Sequence, residues 1–507
     1  MISIHQPTMP HLKNSRTDLF KINFTFVSKV TAFITQDSVR NFIKYFFIVK
    51  VLPEDRTSIQ KKGKVIFMKY SEAMEYIESR RGLGYSMGLG NIEALCEKLG
   101  NPQDKLQFIH VAGTNGKGSV SAYLTSILMA NGYQVGTYSS PSVFSYEEKM
   151  RFQGKPISKV LLAKLMEQVK EAVTAIEQEG IVPSMFEVET ALAFLFFSDR
   201  KCDYVVLEAG LGGLEDATNV VKNTIVAVLA SISYDHMEYL GDTLYKIAQN
   251  KAAIIKPGSI AVTMEQDEDI IRAVRESAQK QGAKVRIAAL SEAKAVKYGL
   301  QKQSFSYHNY NKAEIQLLGK YQISNAILAL EVCEALKEQG VELSEEAIRK
   351  GLYDTEWPGR FSVIAKKPYF IMDGAHNADA ALKLSETIEF YFTNKKIIYI
   401  MGILKDKEYD DIIRNTYRHA THIITVATPN KERTMSAFEL AKVCEQYHPS
   451  VTAADSIEEA VEMSYLLAGK DDVIIAFGSL SYLGRVREAV NNKDKMGSDS
   501  HGKSEQS

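Results

Sequence analysis

"FIHVAGTNGKGSVSAYL", residues 108–124, places a hydrophobic stretch, a glycine-rich turn and a helical pattern one after another. This order is typical of a phosphate-binding loop, because glycines let backbone N–H groups approach an anion and the helix N-terminus attracts it. The spelling departs from the common G-x-x-x-x-G-K-[ST] pattern, since Gly118 lies between Lys117 and Ser119. The stretch therefore predicts a nucleotide site with unusual glycine spacing.

The polar residues of this loop have distinct expected roles. Lys117 is expected to neutralise charge on the β- and γ-phosphates of a nucleotide, and Ser119 or a neighbouring hydroxyl is expected to lie near the magnesium shell. The alternative is a glycine turn beside a surface lysine. That alternative leaves unexplained why three glycines, a lysine and a serine coincide at one strand-to-helix junction.

Composition narrows the class of partner. The 507 residues include 61 basic and 62 acidic side chains, a formal net charge of −1, so no overall field recruits nucleic acid or a membrane surface. The four cysteines show no C-x-x-C spacing, which argues against a disulfide framework and a zinc site. No uncharged apolar run reaches the ~18–20 residues that cross a bilayer. We expect a cytoplasmic protein with small-molecule partners.

Residues 1–67 differ from the rest of the chain. They hold 8 of the 22 phenylalanines, and 11 Lys and Arg against 4 Asp and Glu. One interpretation is a targeting segment, although its apolar stretch carries charges and no small-residue cleavage site follows. The other, which we favour, is an extension outside the mature protein, with the mature chain starting at Met68. Intact-mass analysis of the native protein distinguishes the two.

The remainder predicts two α/β domains. From residue 108, short β-branched runs such as "YVVLEAG", "TIVAVLASIS" and "SIAVTM" alternate with longer helical patterns, which is typical of a parallel sheet. After "EWPGRF" the alternation restarts with "YFIMDGAHN". We predict a P-loop mononucleotide-binding domain over 68–355 and a smaller Rossmann-like α/β domain over 356–491. Residues 492–507 are expected to form a disordered tail.

Further polar residues follow predicted strands or begin predicted helices. Glu187 lies in the first turn of a helix, Asp235 and His236 directly follow "TIVAVLASIS", and Lys251 lies on the next helix. Ligands of α/β proteins bind at the carboxyl ends of the strands. Carboxylates and substrate phosphates suit Mg²⁺, whereas histidine is a less common ligand for it. Taken singly, each residue fits a structural role equally well.

Together these stretches resemble folylpolyglutamate synthase, often bifunctional with dihydrofolate synthase, within the Mur ligase superfamily. The resemblance covers residues 68–491 and rests on a series of motifs in family order: "GTNGKGS", "YSSP", "FEVETALAF", "EAGLGGLEDATN", "DHMEYLG", "NKAAIIKPG", "GKYQISNA", "WPGR", "DGAHN", "LKDKEY" and "FGSLSYLG". A series of this length is highly specific.

The resemblance implies a role for single residues of this chain. It places the phosphates of ATP on Gly116 to Ser119 of the P-loop, and ATP also on three residues from later motifs, Asn325, Arg360 and Asp373. It implies that Mg²⁺ is organised by Ser140, Glu187 and His236. It also implies that Lys251 is carbamylated, which converts a cation into a group able to support a metal. Weaker matches for the incoming glutamate are His376 and Ser479.

This chain also departs from the family pattern. Leu214 and Glu215 replace the usual Arg-Leu or Arg-Phe pair in the glycine turn, so an arginine contact is missing. Ser142 stands where many members have histidine, and Lys149 where many have arginine. The last two lie in the loop that the resemblance places against folate. They leave the choice of substrate open.

The implied activity is an ATP-dependent ligase that adds L-glutamate to the γ-carboxyl of tetrahydrofolate glutamates through an acyl phosphate, with dihydropteroate as a further substrate. The expected catalytic residues are Lys117, Lys251 and His236, acting in a monomer with ATP and Mg²⁺. One alternative is a Mur-type ligase acting on a cell-wall nucleotide peptide. The other is a nucleotide-driven switch, but the chain lacks the N-K-x-D signature of guanine recognition.

Replacing the loop lysine tests the nucleotide site. We expect Lys117→Ala to fold but to lose turnover by roughly 1,000-fold, because no neutral side chain replaces a fixed cation at developing phosphoryl charge. Steady-state ATP turnover and a thermal unfolding curve measure the two properties. Near-wild-type turnover would remove this loop as the ATP site.

Overall fold

The polar turn of the opening motif follows a strand in the middle of a large sheet. The structure, a computed structural model, describes residues 68–83, 88–430 and 432–501, with side chains as far as Lys493. These residues lie in the unit Phe67–Ser507. The predictions for residues 1–67 fall outside the described residues.

The described strands are numbered in chain order. They are β1 (Phe108–Ala112), β2 (Val135–Tyr138), β3 (Met150–Phe152), β4 (Lys155–Pro156), β5 (Tyr204–Glu208), β6 (Thr224–Leu229), β7 (Ile260–Met264), β8 (Lys284–Ala288), β9 (Lys294–Lys297), β10 (Gln303–Tyr307), β11 (Tyr310–Ile315), β12 (Ser362–Lys366), β13 (Tyr369–Met372), β14 (Ile397–Met401), β15 (His422–Thr425), β16 (Val451–Ala453) and β17 (Val473–Phe477).

The described α-helices are numbered in the same way. They are α1 (Tyr70–Ser79), α2 (Gly90–Lys98), α3 (Lys117–Ala130), α4 (Lys159–Glu177), α5 (Met185–Asp199), α6 (Met237–Leu240), α7 (Leu244–Lys251), α8 (Glu268–Lys280), α9 (Tyr321–Glu338), α10 (Glu345–Asp354), α11 (Ala378–Tyr391), α12 (Tyr409–Thr416), α13 (Ala437–Cys444), α14 (Ile457–Leu467) and α15 (Leu483–His501).

The first sheet has the strand order β4-β3-β2-β5-β1-β6-β7-β8. Strands β2, β5, β1, β6, β7 and β8 run parallel, and β3 and β4 add an antiparallel edge. All five residues of β1 are buried, as expected for a parallel strand with both faces covered. This order brings the carboxyl ends of β5 and β6 to either side of the P-loop that follows β1.

The second part of the chain builds a smaller sheet. Its order is β12-β13-β17-β14-β15-β16, parallel except for the edge strand β12, and a three-stranded antiparallel sheet of β9 to β11 precedes it in the chain. The predicted fold class is confirmed: a parallel P-loop sheet followed by a smaller Rossmann-like α/β sheet. The exact boundary at residues 355 and 356 stays a prediction.

Two helix ends differ from those that the sequence predicts: the stretch "TLYKIAQNKAAIIKPG", residues 243–258, predicts one continuous helix, and the last helix is predicted to end at residue 491. Helix α7 stops at Lys251, and residues Ala252–Ile254 form a 3₁₀ turn before the Pro257 segment, where a proline cannot continue a helix. Helix α15 continues to His501, so the tail predicted to be disordered from residue 492 is helical over its first ten residues. That segment contains no proline, and the packed part of the helix before it supplies the costly nucleus. Residues 502–507 lie outside the described residues.

No helix in the described ranges is long and apolar enough to cross a membrane.

A glycine contact fixes the helix that carries the P-loop. Gly351 of α10 faces α3, and a Cβ atom at this position would overlap the backbone of Ile127. Both helices are buried at this contact, where Ile127 and Leu352 have no exposed surface. Close approach of α10 therefore requires a residue without a side chain.

Adding one methyl group here tests that contact. We expect Gly351→Ala to lower the free energy of unfolding by about 1–3 kcal/mol, because overpacking forces the two backbones apart. Gly90→Ala is the matched control, since Gly90 also lies in a helix and a Cβ there meets open space. Urea denaturation measures both variants, and equal stabilities would contradict the close packing.

Candidate active site

Two positions of the P-loop, Gly116 and Gly118, leave no room for a Cβ atom. Gly116 precedes α3 with φ = 85°, a left-handed conformation that glycine adopts readily. A Cβ there would lie 2.7 Å from Oδ1 of Asn325, and a Cβ on Gly118 would lie 2.8 Å from Nε1 of Trp357. Asn325 and Trp357 therefore lie against the loop.

Two lysines meet at one carbonyl oxygen of this loop. The Nζ atoms of Lys117 and Lys251 donate to the oxygen of Gly113 over 3.0 and 3.1 Å. Lys251 is only 4% exposed, and burial together with the charge of Lys117 lowers its pKa to about 7. At neutral pH a large share of Lys251 therefore carries an uncharged amine.

Glu208, which the sequence patterns did not single out, lies in the same cleft. It ends β5, pairs with Val111 of the adjacent β1 and is 4% exposed. Burial raises its pKa to about 7, although the charges of Lys117 and Arg360 act in the opposite direction. An acid at the end of a strand neighbouring the P-loop strand is where P-loop enzymes carry a magnesium-binding aspartate.

A sequence signal for Glu208 does exist. It is the last residue of a buried strand and precedes a glycine turn, in "YVVLEAG". The sequence alone does not show that this strand pairs with β1, and the pairing is what brings the carboxylate to the P-loop.

Arg360, in the linker between the sheets, and Asp373, directly after β13, both reach the cleft. The carboxylate of Asp373 accepts hydrogen bonds from the backbone N–H groups of Phe361 and Ala375, each over 2.8 Å, and from the hydroxyl of Tyr321 over 3.2 Å. Burial raises the pKa of Asp373, while the nearby Arg360 opposes the shift. Asp373 thus fixes the linker backbone beside Arg360, and both line the cleft.

Ser119 is tied to helix α9 through a chain of amides. Its hydroxyl accepts a hydrogen bond from Nε2 of Gln322 over 3.1 Å, and Gln322 in turn accepts one from Asn325 over 3.0 Å. All three side chains are buried. These hydrogen bonds hold the start of α9 against the start of α3 at the P-loop.

Two histidines face the cleft from opposite halves. His236 follows β6, and partial burial together with nearby lysines lowers its pKa against the pull of Asp235. His376 follows β13, and its Nδ1 lies 2.7 Å from the carbonyl oxygen of Gly374, so Nδ1 is the protonated nitrogen. Burial lowers the pKa of His376 to about 4. Both imidazoles are therefore mostly neutral at pH 7.

The cleft has a volume of about 280 Å³ and collects most of the residues predicted from the sequence. Those that line it are Gly116, Lys117, Gly118, Ser119, Ser140, His236, Lys251, Asn325, Arg360, Asp373 and His376.

Glu187 lies elsewhere. Its carboxylate accepts a 2.6 Å hydrogen bond from the backbone N–H of Ser184, and the hydroxyl of Ser184 faces the N–H of Glu187 in return, so the pair forms a capping box at the start of α5. The side chain lines a second cavity, beside Lys149 and Glu215. The structure therefore does not bring Glu187 into the cleft with His236, because the helix cap holds its carboxylate.

Ser479, predicted as a weaker glutamate contact, also lies outside the residues that line the cleft. Its hydroxyl caps the turn Leu480–Tyr482 and lies 2.9 Å from the hydroxyl of Ser481. Its neighbour Leu480 reaches the cleft instead. The predicted contact of Ser479 with glutamate stays a prediction.

Lys149, one of the departures from the family pattern, forms a shielded ion pair. Its Nζ lies 2.6 Å from the carboxylate of Glu189, and the two side chains are 11% and 2% exposed. The lysine lines the second cavity, which adjoins the cleft through Ser140 and Pro141. The second cavity therefore has charged side chains in its wall and lies next to the P-loop cleft.

Comparison with known proteins shows the family that the chain resembles. Family models described as "Mur ligase middle domain" and "Mur ligase, glutamate ligase domain" match residues 111–333 and 359–480. The chain is 33% identical to the dihydrofolate synthase/folylpolyglutamate synthase of Bacillus subtilis over 438 residues, 84% of this chain and 100% of that one.

Solved structures show the same likeness. The folylpolyglutamate synthase of Thermotoga maritima is 31% identical, with a TM-score of 0.72, over 83% of this chain and 96% of that one. An E. coli protein in complex with DHPP and ADP is 28% identical, with a TM-score of 0.74, over 84% and 98%.

A P-loop sheet and a second α/β sheet that share one cation-rich cleft define an ATP-dependent ligase of the Mur type. The matches cover both halves of the chain and nearly the full length of these relatives. The chain belongs to the folylpolyglutamate synthase/dihydrofolate synthase family.

The buried lysine makes stability depend on pH. The pKa of Lys251 is about 7 in the folded protein and 10.5 without the fold, so between those values the unfolded chain binds more protons. The free energy of unfolding then rises with pH across this window, by up to about 1.4 kcal/mol per unit. We expect Lys251→Met to lack that contribution, as measured by urea unfolding from pH 7 to 9.5 in CO₂-free buffer. Parallel pH profiles for the two proteins would contradict the shift.

Proposed function

We propose that this protein is an ATP-dependent ligase that joins L-glutamate to the γ-carboxyl of a folate through an acyl phosphate. The observation that carries the proposal is the single cleft in which the P-loop lysine meets Arg360 and His376 of the glutamate-ligase half. The names of the relatives support the folate substrate over a cell-wall nucleotide peptide.

The first step activates a poor electrophile. The γ-phosphoryl group of ATP passes to a carboxylate oxygen of the folate, which leaves ADP and forms an acyl phosphate. Lys117 and Arg360, both at the cleft wall, stabilise the charge that develops on the transferred group. In its unprotonated form, the amine of Lys251 adds no second positive charge beside the transferred phosphoryl group.

The cleft also fits a magnesium ion. Ser140, Glu208 and His236 supply a hydroxyl, a carboxylate and an imidazole, and within the described residues no cluster of three His, Cys, Asp or Glu side chains could hold a metal alone. Such a donor set suits an ion that takes its remaining ligands from phosphates and water. When bound, Mg²⁺ neutralises phosphate charge. We propose Glu208, in place of Glu187, as the carboxylate of this site.

The second step forms the amide bond. The amine of free L-glutamate attacks the acyl carbon, and the tetrahedral intermediate expels phosphate. His376 donates through Nδ1 to Gly374, so its Nε2 is left as an acceptor in the cleft for an N–H of the attacking amine. Holding both steps between two halves of the chain excludes water, which would hydrolyse the acyl phosphate.

The second cavity is the proposed folate site. It adjoins the P-loop cleft at Ser140 and Pro141 and is lined by Phe186, Lys149 and Asp216. Phe186 offers an aromatic face for the pterin ring of a folate, and Lys149 offers a cation for a folate carboxylate, whereas the carboxylate of Asp216 is bound by its own turn. Glu215 also lines this cavity, and the adjacent Leu214 stands where the family pattern has arginine.

We further propose that Lys251 is carbamylated in the active enzyme. In carbamate formation the neutral amine adds to the carbon of CO₂ and releases one proton, and the lowered pKa of about 7 provides that neutral amine. The product carries two oxygens and a negative charge beside Lys117, where the ammonium form places a second cation on the oxygen of Gly113.

The activity is tested by incubating the protein with ATP, Mg²⁺ and L-glutamate plus one acceptor: tetrahydrofolate, dihydropteroate or a UDP-sugar peptide. We expect glutamate addition to tetrahydrofolate and release of one ADP for each amide. Addition to dihydropteroate would show the second activity in the name of the B. subtilis relative. Product from the UDP-sugar peptide alone would overturn the folate assignment.

Substitution of two glutamates tests which carboxylate belongs to the magnesium site. We expect Glu208→Gln to lose turnover by roughly 100- to 1,000-fold and to need more Mg²⁺, because a neutral amide replaces the carboxylate in the cleft. Glu187→Gln should stay within about fivefold of the wild type, since glutamine also closes a capping box. The opposite ranking in an Mg²⁺ titration of ligation would return the role to Glu187.

The carbamate has its own test. We expect Lys251→Ala to be nearly inactive and Lys251→Glu to keep part of the activity, because glutamate restores an oxygen anion, although on a shorter side chain. Added short-chain carboxylates should partly rescue the alanine variant. Full activity of Lys251→Ala would make this lysine structural.

A further inference from the structure

Asp235 joins the two halves of the chain beside the cleft. Its Oδ1 lies 3.4 Å from Nζ of Lys407 and 3.6 Å from Nε2 of His236, and its Oδ2 accepts a hydrogen bond from Nδ2 of Asn377 over 3.4 Å. Asp235 and His236 follow β6 of the first sheet, whereas Asn377 and Lys407 follow β13 and β14 of the second. One carboxylate therefore contacts both sheets' loops and the neighbouring imidazole.

The ion pair is shielded from water. The side chains of Lys407 and Asp235 are 11% and 14% exposed, so their attraction is screened less than that of a surface pair. The carboxylate is thus held in place from the second half of the chain.

The backbone at His236 needs such support. His236 has φ = 50°, in the left-handed region that residues with a Cβ rarely adopt, and its side chain is 40% exposed. It precedes α6, which spans only Met237–Leu240. A strained conformation persists where the surroundings determine it, and these positions cluster at functional sites. The residue next to His236 that such contacts hold in place is Asp235.

We propose that Lys407 is a positioning residue that acts through Asp235 to hold His236 in place at the phosphate and magnesium site. This inference rests on the proposed function only in taking His236 as a group of that site. It makes the metal site depend on a residue of the second half of the chain, so the site is complete only when the loop carrying Lys407 lies against the P-loop half.

The proposal is tested by measuring Mg²⁺ binding to the ADP-saturated protein by titration calorimetry. Trp357, the single tryptophan of the chain, lies against Gly118 of the P-loop, so its fluorescence reports ADP binding separately. We expect Lys407→Met to weaken Mg²⁺ affinity by about 10-fold, the usual effect of losing a partner behind a metal ligand. ADP affinity without Mg²⁺ should change by less than about twofold. Lys407→Arg should keep most of the Mg²⁺ affinity.

A double variant and a matched control complete the test. Lys407→Met with His236→Ala should bind Mg²⁺ no more weakly than His236→Ala alone, because both changes remove one coupled unit. The matched control is Arg433, which forms an ion pair with Asp406, the neighbour of Lys407 in the chain. The structure describes no contact between Arg433 and Asp235, so Arg433→Gln should leave Mg²⁺ affinity unchanged. Additive losses, or an equal loss in Arg433→Gln, would overturn the proposal.

A second variant tests the same contact if Lys407→Met does not fold. Asp235→Asn keeps the side-chain volume and tests the same tie if Lys407→Met does not fold, with the same expected 10-fold loss of Mg²⁺ affinity. The binding measurements do not require ligation. A wild-type protein that binds ADP and Mg²⁺ but adds no glutamate to any folate would overturn the proposed function and leave the role of Lys407 to be decided by the Mg²⁺ affinities.

Discussion

Two lysine side chains share one backbone oxygen, that of Gly113, and the site is built around this concentration of positive charge. Lys117 comes from the helix that follows the loop, and Lys251 comes from the end of α7. Like charges this close repel each other, so burial drives one of them, Lys251, toward its neutral form. The same arrangement suits a polyanion such as ATP, whose phosphates supply the missing negative charge.

The strand order of the first sheet determines what surrounds these lysines. Because β5 and β6 flank β1, the residues after each strand converge on the loop: Glu208 from one side and the Asp235 to His236 segment from the other. In a parallel sheet the carboxyl ends of all strands meet at one edge, which is why ligands bind there. The carboxylate, the imidazole and the cations come from distant parts of the sequence.

The second half of the chain closes the cleft with groups of its own. Asp373 binds the backbone of the linker that carries Arg360, and the start of α11 reaches the P-loop through the 2.8 Å hydrogen bond from Nδ2 of Asn115 to Asp379. A ligase that makes an acyl phosphate benefits from such closure, because the intermediate is lost if water enters. The glutamate-ligase half therefore shapes the nucleotide site as well as the amine site.

Much of this molecule follows from the sequence by itself. The order of strand, glycine turn and helix at residues 108–124, the alternation of apolar runs and helices, and the series of motifs specify the α/β class, the P-loop and the family. These are local patterns, governed by the spacing of side chains along a strand or a helix. The tertiary structure alone decided which of two glutamates, Glu187 or Glu208, enters the cleft. Glu187 and Glu208 both belong to apolar stretches next to a glycine or serine turn, but a helix cap holds the first, and pairing of β5 with β1 places the second beside Lys117. Strand pairing and contacts between halves join residues far apart in the chain, and for that reason the sequence pattern alone did not reveal them.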